Sequence, residues 1–344
     1  MGQSPDSSSY NNDCIGLPLV QGNADMYERV AAPQRYTSQP TKICEAGSII
    51  LSVRAPVGTV GKTFQKICLG RGVCGIISKN IEFMYQYLLN NENSWRHIEQ
   101  GGTFTAINSD DIKSFPIILP SLPEQEKIAA FLSLVDARIE KQRQLVEALK
   151  KYKRGLLSAI FDRKIRFKDN DGNNFTDWEL KTVADVLNYE QPQKYIVFSE
   201  NYNDEYKTPV LTANKAFILG YTNEETGVYS KGETIIYDDF TMDFKFVDFS
   251  FKVKSSTIKM LTCKNFNDLY FMYNLLLSLN LMPQSHQRSY ISILEPTKIF
   301  IPCYDEQLII SKVLRKVDSY VDKHNKYLDT LEKCKKGLLQ QMFI

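Results

Sequence analysis

The sequence predicts an α/β (α+β) protein in which two domains with twisted β-sheets and short helices are separated by two long helices. Three observations predict this fold. The chain contains an internal repeat at a separation of 182 positions. Each copy of the repeat carries a long heptad pattern, and each copy follows a segment of short β-like runs. A repeat of this kind indicates a duplicated plan.

The repeated segment begins at a proline in each copy. "PSLPEQEKIAAFLSLVDARIEKQ" starts at Pro120, and "PCYDEQLIISKVLRKVDSYVDKH" starts at Pro302. The two copies align without a gap. The residues that they share include Glu124 with Glu306, Gln125 with Gln307, Asp136 with Asp318, and Gly155 with Gly337.

The helical part of each copy has apolar residues at alternating spacings of four and three. Two polar exceptions recur at equivalent positions, Gln142 with His324 and Lys153 with Lys335. A heptad over about 37 residues predicts a helix of roughly 55 Å that buries one seam against another helix. We interpret the pair Gln142 and His324 as fixing the register rather than binding a metal. The predicted coiled-coil and partner interface consists of Ile128, Leu132, Val135, Ile139, Leu149, Ile310, Leu314, Val317, Val321 and Leu331.

The segments before the two helices share an order of elements, although their letters differ. "GSIILSV" and "GETIIYD" are strand-like runs, "EFMYQYLLN" and "DLYFMYNLLLSLN" are short amphipathic helices, and "FPIILP" and "IFIPC" are later strand-like runs. We therefore predict a globular domain at residues 1–118, a long helix at 119–163, a second globular domain at 164–301, and a second long helix at 302–344.

The beginning of the second domain has no counterpart in the first. Trp178 opens the second domain, whereas the matching position of the first domain falls before Met1. We therefore expect the first domain to lack its opening strand.

The composition indicates a water-soluble protein with reduced thiols. The formal net charge is +2, which argues against a strongly basic nucleic-acid arm. The seven cysteines include no CxxC pair, which suits free thiols better than a disulfide framework. No apolar run approaches the ~20 residues of a membrane span. We expect a cytoplasmic protein that does not contact a membrane.

The motifs of common enzyme classes are missing from the sequence. "PVGTVGKT" has a proline where a P-loop needs its first glycine, and a strand-like run follows where the phosphate site needs a helix. We interpret this stretch as a β-turn that presents Arg54 and Lys62. The three histidines are scattered, and no Gly-x-Ser-x-Gly motif occurs. We predict a binding protein that has no catalytic residues, metal site or cofactor of its own.

The whole chain resembles the specificity subunit of type I restriction-modification systems. The resemblance lies in the two Pro-x-x-x-Glu-Gln helices that end in "KRGLLSAIF" and "KKGLLQQMF", and in "LPLVQGNADM", "ILSVRAPVGTVGK" and "TDWELKTVADV". It implies two target-recognition domains, each of which reads one half of a split sequence in double-stranded DNA. It also implies that the long helices form an antiparallel coiled coil with pseudo-twofold symmetry, which sets the spacer.

The resemblance further implies partners for this chain. Two modification subunits dock on the helices, bring S-adenosylmethionine and methylate adenine after flipping the base, and restriction subunits join for translocation and cleavage. No cofactor is expected in this chain itself.

We predict DNA contacts at polar and basic residues on loops, because base edges and phosphates are read by such side chains. The candidates in the first domain are Arg54, Lys62, Arg71, Gln100, Thr103 and Thr105, and those in the second are Asn214, Lys215, Lys245, His286, Gln287 and Arg288.

One alternative stays open at this level. The chain could be a coiled-coil adaptor whose domains bind protein, such as an inactive or recombined allele. DNA binding with a strong salt dependence would distinguish the two hypotheses.

Overall fold

The structure is a computed structural model that describes residues 1–98, 106–212, 216–283 and 288–343. The chain forms two compact units. Unit 1 comprises Met1–Leu145 with His324–Ile344, and unit 2 comprises Val146–Lys323. Each unit therefore contains one sheet-rich domain and one half of each long helix.

Unit 1 begins with ten short strands and continues with helices. The strands are β1 Tyr10–Asn11, β2 Leu17–Val20, β3 Met26–Tyr27, β4 Val30–Ala31, β5 Tyr36–Thr37, β6 Ile43–Cys44, β7 Ile49–Ser52, β8 Val60–Lys62, β9 Ile67–Leu69 and β10 Val73–Ile76. The described residues form two five-stranded sheets, ordered β1-β5-β2-β9-β6 and β10-β7-β8-β4-β3. The helices are α1 Ile81–Asn90, α2 Glu92–Ile98, α3 Ser109–Ser114 and α4 Leu122–Phe161, which continues into unit 2.

Unit 2 also combines short strands with helices, but its described residues form a different set of sheets. Its strands are β11 Glu179–Thr182, β12 Leu187–Glu190, β13 Thr208–Leu211, β14 Ile218–Thr222, β15 Thr234–Asp238, β16 Phe244–Val247, β17 Lys252–Val253, β18 Ile258–Cys263 and β19 Lys298–Ile301. Where the structure describes unit 2, they form sheets ordered β12-β18-β15-β16, β14-β13-β17 and β11-β19. The helices are α5 Val183–Val186, α6 Leu269–Ser278 and α7 Tyr304–Met342, which continues into unit 1.

The predicted amphipathic helices are confirmed, and the predicted β-turn connects the antiparallel strands β7 and β8. Helix α1 is capped by Asn80, whose Oδ1 accepts the Phe83 amide at 3.0 Å, and α6 is capped in the same way by Asp268. "PVGTVGKT" lies in the β7–β8 hairpin and its glycine and lysine enter strand β8. The phosphate cradle of a P-loop is therefore not formed here.

The two long helices span 40 and 39 residues, as the heptad predicts. The repeated glutamine stabilises the start of each helix. Gln125 Nε2 donates to the Pro120 carbonyl at 2.9 Å, and Gln307 Nε2 donates to the Pro302 carbonyl at 3.0 Å. This accounts for the proline and the glutamine of the shared motif.

Within unit 1, the first half of α4 runs antiparallel to the last half of α7. Gln142 bonds His324, whereas Asp136, earlier in α4, pairs with Lys335, later in α7. Among the predicted interface residues, Leu132, Ile139, Ile310, Leu314 and Val321 are buried, and Ile128, Val135, Leu149, Val317 and Leu331 are half-buried. Ile310 and Leu314 also join the core of the unit 2 domain.

The prediction of a strand at "FPIILP" is wrong. The equivalent run in unit 2 is β19, which pairs antiparallel with β11. In the described part of unit 1, residues 116–119 have no strand partner, and Ile118 is 75% exposed. A strand requires a partner for its backbone groups, so this run stays irregular. Tyr87 supplies part of the missing pairing, since its hydroxyl lies 3.4 Å from the Ile118 amide.

The shared glutamate has different surroundings in the two copies. Glu306 is fully buried and accepts hydrogen bonds from Arg166 at 2.9 and 3.0 Å and from Trp178 Nε1 at 3.1 Å. Glu124 is exposed. The start of α7 is therefore tied to the segment that precedes β11, and the start of α4 is not tied in this way by the residues described in unit 1.

We expect Glu306→Gln to lower the free energy of unfolding by about 2–3 kcal/mol, because it removes the buried counter-charge of Arg166, whose other acidic partner, Asp177, is exposed. The matched variant Glu124→Gln should change it by less than about 0.5 kcal/mol, as exposed substitutions usually do. Urea unfolding of the full chain would measure both values. Equal effects of the two variants would contradict this assignment.

Candidate nucleic-acid interface

In unit 1, the turn of the β7–β8 hairpin meets the segment that precedes α3. Arg54 forms a β-bridge with Ala106, and the Ile107 amide donates to the Val53 carbonyl at 3.0 Å. Arg54 is exposed at this junction. The junction thus presents a cation at one end of the β10-β7-β8 sheet.

Arg71 lies near the same end of this sheet. The carbonyl of its neighbour Gly72 accepts the Val53 amide at 2.9 Å, and the Arg71 side chain is exposed. The structure therefore brings Arg54 and Arg71, which are 17 positions apart in the sequence, to one edge.

Lys62 has a different environment from the two arginines. Its ammonium pairs with Glu82 at 2.5 Å and lies 4.1 Å from the centre of the Tyr85 ring. Burial raises the pKa of Tyr85 to about 12, so the ring stays neutral. Because Lys62 already has a counter-charge in Glu82, this geometry does not favour a contact between Lys62 and DNA. That contact stays a prediction.

In unit 2, the turn of the β15–β16 hairpin meets the corresponding later segment. The Ser289 amide donates to the Asp239 carbonyl at 3.0 Å, which brings the exposed Arg288 beside the turn. Lys245 is exposed on β16, just after the turn. The two units thus build the same junction, with Arg54 on the turn in unit 1 and Arg288 on the later segment in unit 2.

Seven of the predicted DNA contacts lie outside the described residues, and their roles stay predictions. These residues are Gln100, Thr103, Thr105, Asn214, Lys215, His286 and Gln287.

A repeated polar junction links each globular domain to the long helices of its unit. In unit 1, Asp136 of α4 pairs with Lys335 of α7 at 2.5 Å and accepts a hydrogen bond from Gln86 of α1 at 2.6 Å. Asp136 and Lys335 line a groove of about 730 Å³ that also contains Arg143 and Glu332, which pair at 2.9 Å.

Unit 2 contains the equivalent junction, in which Asp318 lies 182 positions after Asp136 and Lys153 lies 182 positions before Lys335. Asp318 of α7 pairs with Lys153 of α4 and accepts a hydrogen bond from the Tyr270 hydroxyl of α6. Burial, and then the bond to Asp318, raise the pKa of Tyr270 far above its ordinary range, so the hydroxyl stays a donor. The sequence identified the two aspartates as shared residues and the two lysines as polar exceptions in the apolar seam. It did not indicate that each aspartate pairs with a lysine.

The predicted register pair also forms. Gln142 Nε2 lies 3.0 Å from His324 Nδ1 and donates to the His324 carbonyl at 2.9 Å. This contact joins equivalent positions of the two repeats to each other. A contact between an amide and an imidazole satisfies polar groups inside an otherwise apolar seam.

The described residues contain no cluster of histidine, cysteine or carboxylate side chains that could hold a metal ion. Across these ranges, no helix is both long and apolar enough to cross a membrane. All seven cysteines lie within them as free thiols.

Two stretches of the chain match the family model of the type I restriction modification DNA specificity domain, at residues 6–151 and 176–333. Together the two matches cover most of the 344 residues. Each match contains one sheet-rich domain and part of one long helix.

Curated relatives carry the same description. A protein of Methanocaldococcus jannaschii named as the MjaX type I restriction enzyme specificity subunit is 38% identical over 172 residues, which are 49% of this chain and 40% of the relative. A type I restriction enzyme specificity subunit of Escherichia coli is 43% identical over 153 residues, which are 41% of this chain and 38% of the relative. The chain thus spans about two fifths of the length of these relatives.

Solved structures share the fold. The S subunit of a type I restriction-modification system from M. genitalium superposes with a TM-score of 0.63 at 16% identity, covering 100% of this chain and 92% of that chain. A chain from a structure of complex assembly and conformational transition in the type I R-M system gives a TM-score of 0.58 at 15% identity, covering 99% and 93%.

The two polar junctions should contribute similar energies. In double-mutant cycles, we expect a coupling of about 0.5–1 kcal/mol for Lys335→Met with Asp136→Asn and for Lys153→Met with Asp318→Asn, because these pairs are partly buried and belong to networks. The exposed pair Lys150 and Glu147 on α4 is the matched control, with an expected coupling of about 0.2–0.5 kcal/mol. Urea unfolding of the full chain measures the cycles, and couplings no larger than the control would refute a structural role for the junctions.

Proposed function

The chain belongs to the family of type I restriction modification DNA specificity domains, and on this basis we propose that it is the DNA-binding specificity subunit of a type I restriction-modification complex. The observation that carries this proposal is the contact, present in both units, between a hairpin turn and a later segment. Unit 1 and unit 2 build one scaffold, and each presents exposed basic residues where a hairpin turn meets a later segment. Two equivalent scaffolds with different side chains fit two different half-sites.

We propose that each unit reads one half of a bipartite target in double-stranded DNA. Arg54 and Arg71 would contact DNA from unit 1, and Lys245 and Arg288 from unit 2. An arginine can bond a guanine with two hydrogen bonds or contact a phosphate, so these residues suit either readout or positioning. The antiparallel pairing of the long helices would set the spacer between the half-sites.

The chemistry of the complex would belong to other chains. In this proposal, modification subunits bring S-adenosylmethionine and methylate adenine, and restriction subunits supply translocation and cleavage. Exposed apolar side chains along the long helices, which include Phe131 and Leu134 on α4 and Leu308 on α7, support docking of such partners. This role also fits the cytoplasmic location expected from the sequence.

The first test is to co-express the chain with the modification subunit encoded beside it and to map methylated adenines by single-molecule sequencing. We expect a split motif with a fixed gap. A stable complex without any sequence preference, and with DNA affinity that is insensitive to salt, would instead favour the protein-binding adaptor.

Single variants should assign the half-sites. We expect Arg54→Ala to weaken discrimination at one half-site by about tenfold and Arg288→Ala to do so at the other, because a lost base contact is worth about 1–3 kcal/mol. Lys42→Ala, which removes an exposed lysine elsewhere in unit 1, is the control. If both arginine variants relaxed the same half-site, one unit would not read one half of the target.

A further inference from the structure

Two opposite charges are buried together at the base of the β15–β16 turn. Asp239 is 1% exposed and Lys259 is 3% exposed, and their carboxylate and ammonium groups lie 3.2 Å apart. In the described ranges, the Lys259 ammonium has no well-aligned hydrogen-bond acceptor. Its charge is therefore held by attraction to Asp239, and the pair contributes little as a hydrogen bond.

Asp239 connects the turn to the later segment through its backbone and its side chain. Its Oδ1 accepts the Tyr290 amide at 2.9 Å, and its carbonyl accepts the Ser289 amide at 3.0 Å and the Ser289 hydroxyl at 2.6 Å. The same Ser289 hydroxyl bonds the Tyr237 hydroxyl of β15. Three side chains and two backbone amides thus fix the residues that directly follow Arg288.

The neighbouring carboxylate fixes the turn itself. Asp238 Oδ1 accepts the amides of Phe240 and Thr241 at 2.9 and 2.6 Å, and Oδ2 accepts the Thr257 hydroxyl at 3.0 Å. Both sides of the junction therefore depend on carboxylates at the end of β15.

Unit 1 forms the equivalent junction with an exposed arginine, Arg54, at the position that corresponds to Asp239. The hairpins align at an offset of 185, at which Gly47 and Gly232 both have positive φ and Ser52 corresponds to Tyr237. Ser52 faces Val73 across the β7–β10 pair, and Tyr237 faces Lys259 across the β15–β18 pair. The scaffold therefore folds with a valine in the place of Lys259.

A buried ion pair is an unusual choice where an apolar residue would suffice, because removing both charges from water offsets most of their attraction. The Asp239 carboxylate, however, accepts the Tyr290 amide through Oδ1, a contact that an apolar side chain could not make. A nearby ammonium cancels its charge, which would otherwise repel DNA phosphates. Lys259 thus allows the carboxylate that holds the Tyr290 amide to lie beneath the proposed DNA-binding edge.

We propose that Asp239 and Lys259 are positioning residues for DNA readout by unit 2, and that they hold the β15–β16 turn and Arg288 in register without touching DNA. This inference rests on the proposed function. It assigns the specificity of one half-site to a buried pair as well as to exposed side chains.

The test compares two double variants of the full chain. Asp239→Asn with Lys259→Met removes both charges and keeps the side-chain volumes similar, which avoids leaving either charge buried alone. The matched control is Glu224→Gln with Lys252→Met, which removes another ion pair of unit 2. Its lysine is fully buried, its glutamate is mostly buried, and the two groups lie 2.7 Å apart.

The first readout is hydrogen exchange of the chain without DNA. In the Asp239/Lys259 variant, we expect faster exchange at the amides of Phe240, Thr241, Ser289 and Tyr290, with the control unchanged at these positions. Unchanged exchange in the Asp239/Lys259 variant would overturn the proposal whether or not the chain binds DNA.

The second readout is the methylation map with the modification subunit. We expect the Asp239/Lys259 variant to lose about tenfold or more in discrimination at the half-site of unit 2, with the half-site of unit 1 retained and complex assembly intact. The control should keep both half-sites. Equal relaxation by both double variants would reduce the pair to a general stability role, whereas failure of the wild-type complex to show any motif would refute the proposed function alone.

Discussion

Each unit of this protein depends on the contact between one half of α4 and the antiparallel half of α7. In unit 1, Asp136 bonds α7 through Lys335 and the globular domain through Gln86. Asp318 makes the equivalent two contacts in unit 2. A slip of one helix would break both contacts together, so one carboxylate links the register of the helices to the seating of the domain.

The helix pairing also explains why polar residues recur in an apolar seam. Gln142 and His324 occupy equivalent positions and contact each other, and the two lysines each reach an aspartate on the opposite helix. An apolar stripe alone would permit neighbouring registers with little difference in energy. Polar pairs select one register, because any other leaves their groups unpaired in the seam.

Residues that are identical in the two copies nevertheless have different surroundings. Glu306 is buried under Arg166 and Trp178, whereas Glu124 is exposed. The same divergence separates the junctions proposed to read DNA, since Ser52 and Val73 occupy the places of Tyr237 and Lys259. The helices keep one geometry because their contacts are reciprocal, while the domains are free to change the chemistry that supports their exposed edges.

The sequence by itself determined the repeat, both long helices, the short helices α1 and α6, and the stripe that the long helices bury. These features follow from periodicity and from local signals such as helix caps, which act over a few residues. Only the tertiary structure decided that Lys335 pairs with Asp136, that "FPIILP" stays irregular, and that Asp239 and Lys259 meet under a turn. Each of these outcomes depends on groups distant in sequence, or on the lack of a pairing strand among the described residues, and no local pattern encodes such a dependence.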